Sequence, residues 1–191
     1  MERPKTYSAF AGERLIAAGE LPELLRATKA HLAHANDPRV LIFEDRTGQQ
    51  VEFDFSGTLA EVLEHAAPAP MERPGPGRPK LGVVSREVSL LPRHWQWLQG
   101  EPHGISAALR RLVDEARKKN PAEQRARQAR EAVSKFLSAL AGNFEHFEEA
   151  TRALFAKDDA RFAELTAEWP RDIRRHAQRV LEEAALDTES S

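Results

Sequence analysis

The sequence has no cysteine, which removes disulfides, zinc-thiolate centres and thiol nucleophiles together, and which fits a reducing compartment. Long apolar runs are missing as well. None exceeds four residues, far short of a bilayer span, and no apolar segment follows Met1-Glu2-Arg3-Pro4-Lys5 as a secretory leader would require. A membrane is therefore not an expected partner, and the expected location is the cytoplasm. Also absent are the glycine-rich phosphate loops of the Walker and Rossmann kinds, the GxSxG elbow and the HExxH helix. What remains is 191 residues, 41% hydrophobic and 30% charged, enough for one good core or two small ones in a helix-rich chain.

The formal net charge of −2 conceals a segregation. Residues 1–70 carry 7 basic and 11 acidic side chains, residues 71–120 carry 10 and 5, and residues 121–191 carry 11 and 14. The middle is the basic part. Such a segment is either a nucleic-acid surface or the intramolecular complement of its acidic neighbours.

Within that middle, Val84, Arg86, Val88 and Leu90 alternate with Ser85, Glu87, Ser89 and Leu91, the period of a half-buried strand. Pro92 closes the strand and opens a short helix carrying Trp95 and Leu98. After Gly100 and the turn Glu101-Pro102-His103-Gly104, Ser106 is the expected N-cap of a second helix with Ile105, Leu109, Leu112, Val113 and Ala116 on one face. Strand, helix, glycine turn and helix in this order resemble the ribbon-helix-helix DNA-binding dimers, whose paired strands enter the major groove. The family's core-facing positions would fall on Leu91, Ser89 and Glu87, whereas the apolar Val84, Val88 and Leu90 lie one position out of phase. The resemblance implies a homodimer through residues 81–119 with DNA as partner. Its DNA-binding residues would be Ser85, Arg86 and Ser89 on the strand, Ser106 holding a backbone phosphate, and Arg78 and Lys80 on the preceding arm.

Before this segment, Thr6–Phe10 and Leu15–Ala18 read as a hairpin, Leu21–Leu32 as an amphipathic helix opened by Pro22, and Val40-Leu41-Ile42-Phe43 as a strand covered on both faces. Val51, Phe53 and Phe55 alternate with acids as its partner strand. Thr58 and Glu61 have capping-box spacing before the helix Leu59–Ala66. Residues 67–80, rich in proline and glycine, form neither helix nor central strand. Gly75-Pro76-Gly77-Arg78-Pro79 is similar to the core of AT-hook arms, but Pro76 stands where their first arginine belongs, so a semi-rigid spacer is the preferred reading. Beyond Asn120 four stripes follow: Val133, Phe136, Leu137 and Leu140; Phe144 to Phe155 within Asn143–Lys157; Phe162, Leu165 and Trp169 after an Asp159 cap; and Ile173, Ala177, Val180 and Leu181 in a helix opened by Pro170.

The expected fold class is thus α+β: a small ββαββα N-terminal domain (1–66), a Pro/Gly-rich linker (67–80), a ribbon-helix-helix-like strand and helix pair (81–119), an antiparallel helical bundle (120–187) and a frayed tail (188–191). No cofactor, metal or catalytic residue is expected. His31 with His34, and His146 with Glu149, have i,i+3 spacing but no third ligand, and solvated helix faces explain them better.

Taken whole, the chain resembles a bacterial family defined only as domain of unknown function 2239. The likeness rests on Tyr7-Ser8-Ala9-Phe10-Ala11-Gly12, Val40-Leu41-Ile42-Phe43, Gly77–Val83 with Leu91-Pro92-Arg93-His94-Trp95, and Trp169-Pro170 with Asp172-Ile173-Arg174. That resemblance implies a recurring architecture and no activity. The function expected from the residues is DNA binding or transcription regulation. The alternative is a protein-interaction scaffold in which the basic middle packs on the acidic ends.

Overall fold

A computed structural model describes residues 4–34, 39–66 and 84–189, the side chains of 117 and 187–189 excepted. Among them the fold is α+β, with eight helices and a four-stranded antiparallel sheet. The elements follow in the order β1 (Thr6–Ala11), β2 (Arg14–Glu20), α1 (Leu21–Leu32), β3 (Leu41–Glu44), β4 (Gln49–Val51), α2 (Leu59–Ala66), α3 (Pro92–Gln99), α4 (Ile105–Lys119), α5 (Pro121–Leu140), α6 (Phe147–Ala156), α7 (Asp159–Leu165) and α8 (Arg171–Glu189). The chain divides into two compact units: residues 1–67 with 122–191, and residues 68–121.

In the first unit the strand order is β2-β1-β3-β4, with an irregularity between Ala9 and Phe10 of β1. Each face of the sheet is covered, because neighbouring side chains on a strand point opposite ways. Ala9 and Ile42 are buried with Leu24 of α1, and Tyr7, Val51, Phe53 and Phe55 pack around them. Phe10 and Phe43 face the other way, into a cluster with Val133, Phe136 and Leu137 of α5, Leu154 of α6 and Ile173 and Ala177 of α8. The rings of Phe10 and Phe43 each lie 5.1 Å from that of Phe136. The segments 1–66 and 120–187, expected as separate domains, therefore contribute to one apolar core. The reason is that β1 and β3 carry two apolar faces, and α1 supplies cover for only one.

Gly48 makes the same junction on the backbone. It sits at φ +63° in the β3–β4 turn, and a Cβ there would overlap the carbonyl of Ala132 in α5. Beside this turn Lys135 Nζ donates to the Thr47 carbonyl at 3.4 Å, and at the opposite edge of the sheet the Leu15 N–H donates to Asp172 Oδ2 at 3.0 Å.

Several boundaries move for local reasons. β4 stops at Val51, short of the expected Phe53 and Phe55, because Lys29 Nζ takes the carbonyls of Phe55 and Gly57 at 2.8 and 2.7 Å and Asp54 accepts from the Ser56 N–H. The capping box is formed: Glu61 Oε2 accepts from the Thr58 N–H at 2.6 Å, and Thr58 Oγ1 accepts from the Glu61 N–H at 3.4 Å. α6 starts at Phe147 and not at Asn143, since His146 is left-handed at φ +61°. Asp158 and not Asp159 caps α7, accepting from the Arg161 N–H at 2.9 Å. The tail expected to fray at 188 continues α8 as far as Glu189, and residues 190 and 191 lie outside the described residues. So does the linker, residues 67–80.

In the second unit, α3 opens at Pro92 and α4 follows the turn through Gly104, at φ +82°. Arg111 ties that turn to α4, pairing with Glu101 at 2.7 Å and Glu115 at 3.3 Å. Val84–Leu90, expected as a strand, form no strand among the described residues. A strand needs a neighbour to take its N–H and C=O groups, and no described strand of this chain pairs with them.

Candidate functional site

The described residues among those singled out in the central segment are exposed. Ser85, Arg86 and Ser89 are exposed on the run that leads to Leu91, whose φ −65° and ψ 150° keep the backbone extended to the start of α3. Ser106 is exposed in the first turn of α4 but is not its cap. Gly104 holds that position, no side chain caps the helix, and Ser106 is its second residue. Arg78 and Lys80 lie outside the described residues.

Beside these polar groups stands the more informative feature. Of the eight large apolar side chains that are exposed among the described residues, six lie in this segment: Val84 (72%), Val88 (54%), Leu91, Trp97, Leu112 and Val113 (56%). Only Leu98 of α3 and Ala108 of α4 are fully buried among the described residues here. The helix pair thus encloses two buried side chains, half-buries Trp95, Ile105 and Leu109, and leaves Trp97, Leu112 and Val113 to solvent. Of the two tryptophans, Trp95 is half-buried and Trp97 exposed.

The histidine pairs do not assemble. α1 ends at Leu32, so His34 lies past the helix that carries His31, and His146 precedes the helix that carries Glu149. Among the described residues no group of three His, Asp or Glu side chains is placed to hold a metal ion. Nor is any described helix long and apolar enough to cross a membrane.

A polar cluster that sequence reasoning missed lies in the first unit, between the sheet and α8. Ser8 Oγ donates to Asp45 Oδ1 at 2.7 Å, and Arg179 Nη2 donates to Asp45 Oδ2 at 2.9 Å and to Ser8 Oγ at 3.2 Å. Arg179 Nη1 donates to Glu183 at 2.9 Å. His176 Nδ1 is 3.2 Å from Arg179 Nη2, and since a guanidinium only donates, that nitrogen accepts. Ser8, Asp45 and His176 are 0, 4 and 5% exposed. Burial opposes the Arg179 charge, but the Asp45 and Glu183 carboxylates outweigh it and raise its pKa. Burial lowers His176 to about 4, the nearby Asp45 carboxylate offsetting part of the effect and Arg179 adding to it. Its ring lies 4.2 Å from that of Phe136 and 5.5 Å from that of Phe10. A neutral imidazole wedged between phenylalanines, beside a fully bonded ion pair, serves to hold β1, β3 and α8 in place. The signal for it was on the α8 helical wheel, where His176 shares the face of the apolar Ile173, Ala177 and Val180.

The family model described as "Uncharacterized protein conserved in bacteria (DUF2239)" matches residues 6–181. The chain belongs to this family. No curated protein and no solved structure matches it. The family match spans both units and attaches no chemistry to either.

Proposed function

We propose that the protein is a DNA-binding regulator in which two copies pair through residues 84–119 and present the paired Val84–Leu90 runs to the major groove. The observation that carries this reading is the set of six exposed apolar side chains on a segment whose Val84–Leu90 run has no strand neighbour among the described residues. An unpaired run of strand-like sequence and exposed apolar residues on a helix pair are what a half-core presents to its twin. The basic excess of residues 71–120 supplies the electrostatic attraction to phosphate. Exposed Ser85, Arg86 and Ser89 supply groove contacts, and the first turn of α4 with Ser106 supplies N–H groups for a phosphate.

The test is duplex binding across a salt series. A pair of chains neutralising roughly six phosphates gives a log–log slope near −5, and Arg86→Ala, which removes a groove contact from each copy, weakens specific binding by about 1–3 kcal/mol per contact and relaxes sequence preference. A slope near zero overturns the DNA reading.

Glu87, exposed on the same run, favours a second reading, because an acid repels the backbone phosphates of DNA. In that reading the apolar surface receives another protein and nucleic acid plays no part. It predicts a monomer in sedimentation equilibrium together with flat DNA titrations.

A further inference from the structure

The N-terminal half of α5, the segment of Lys157 to Thr166 that includes α7, and one face of α8 from Arg174 to Ala185 border an open groove of about 830 Å³ in the first unit. That size suits a small organic ligand. Its apolar lining is low in bulk: Ala126 and Ala129 from α5, Phe162 and Ala163 from α7, Leu181 and Ala185 from α8. Most of the charged side chains on its rim are already engaged. Arg130 donates to the carbonyls of Leu154 and Ala126 and to Asp159 Oδ1 at 3.3 Å, and Lys157 stands 3.7 Å from Glu123. Gln178 donates to Glu182 at 2.8 Å.

Arg174 differs. Its Nε donates to the Trp169 carbonyl at 2.9 Å, which fixes the stem, and among the described residues its two terminal nitrogens meet no acceptor. A guanidinium held by one nitrogen and open at the other two is arranged for a carboxylate, which takes two parallel N–H bonds. Of the lining carboxylates, Asp159 and Glu123 face Arg130 and Lys157, and Glu182 lies two turns from Arg174, about 12 Å along α8, which leaves Arg174 the cation for an incoming anion.

We propose that this groove binds an apolar carboxylic acid, its carboxylate on Arg174 and its hydrocarbon body on the alanine-rich lining. That lining removes apolar surface from water, and Arg174 fixes the ligand's direction.

Decanoate is the probe, titrated into the full-length protein with calorimetry and with the alanine methyl signals followed by NMR. Saturable binding with Kd about 100 µM is expected, the magnitude set by the ligand's size. Shifts should concentrate at Ala126, Ala163 and Ala185. Decanol should bind at least about tenfold more weakly, as expected for loss of a charge-assisted pair. Arg174→Gln should lower decanoate affinity by a similar factor and leave decanol unchanged. Because Arg174 also supports Trp169, the decanoate-to-decanol ratio on the unaltered protein decides the matter if the variant fails to fold. Absence of saturation, equal affinity for the two probes, or shifts at Leu112 and Val113 in place of the groove alanines would each overturn the proposal.

Discussion

Phe10, Phe43 and Phe136 are each at most 1% exposed, whereas Val84, Val88 and Val113 are each more than half exposed, and both sets recur with regular apolar periodicity. The difference lies in whether a partner surface exists in the same chain. β1 and β3 find α1 on one side and α5, α6 and α8 on the other, so every apolar face of the sheet is matched. The run and helix pair of residues 84–119 close fully over two side chains and leave Val84, Val88, Leu91, Trp97, Leu112 and Val113 exposed. Apolar periodicity thus specifies a face, and only the tertiary structure specifies what that face meets.

The largest expected effect breaks the first region at its polar seam. Asp45→Ala leaves the Arg179 guanidinium facing Ser8 and His176 with no carboxylate on that side, and should cost about 3–5 kcal/mol in denaturant unfolding. A loss under about 1 kcal/mol would mean that water reaches the cluster and that the two regions are less different than their burial implies. Next is a pH effect. The unfolded chain protonates His176 as pH falls through about 6.5, while the folded chain holds it neutral to about 4. Stability therefore declines across that window by a total on the order of 3 kcal/mol, and His176 adds no pH dependence above it. His176→Phe, compared with the unaltered protein by thermal unfolding at pH 7 and pH 4.5, should show the shallower decline. Equal declines would place the acid sensitivity elsewhere.

Smaller is the capping box. Thr58→Ala removes the hydroxyl that accepts from the Glu61 N–H, at a cost of about 1 kcal/mol read from the urea midpoint. The smallest effect on stability belongs to the second region. Val88→Ser with Val113→Ser should change monomer unfolding by no more than about 0.5 kcal/mol, since both side chains are exposed, yet should shift sedimentation toward monomer. Loss of stability without change of mass would show that the surface is covered by its own chain, and would remove the contrast.

The parts of the fold legible in the sequence are those decided by neighbours in the chain. Pro92 and Pro121 mark helix starts, Thr58 with Glu61 marks α2, and the unbroken Val40–Phe43 run marks a strand covered twice, with Ile42 and Phe43 entering different clusters. Two features escaped because their causes are remote. Phe53 and Phe55 alternate like a strand, but Lys29, 26 residues from Phe55, takes the carbonyls of Phe55 and Gly57. Ser8, Asp45 and Arg179 are separated by 37 and 134 residues and look like unrelated surface groups until β1, β3 and α8 bring them together. Among the proposed DNA-contacting residues, periodicity predicts a strand carrying Ser85, Arg86 and Ser89, and those residues are exposed in a run with no strand assigned. Ser106 was misassigned as a cap because glycine at φ +82° can end a turn with no side chain at all.

Gly48 set against Ala132 has a consequence for synthesis. The sheet-forming residues leave the ribosome well before the helix that their turn abuts, and about fifty residues of a separate unit emerge between the two. Until α5 and α8 have been translated, Phe10 and Phe43 have nothing to cover them, so the nascent N-terminal third is held back from its native form and exposed to chaperones and misassembly. Any side chain at position 48 would meet the Ala132 carbonyl, so the completed chain would have to shift the turn or the helix before the two could close.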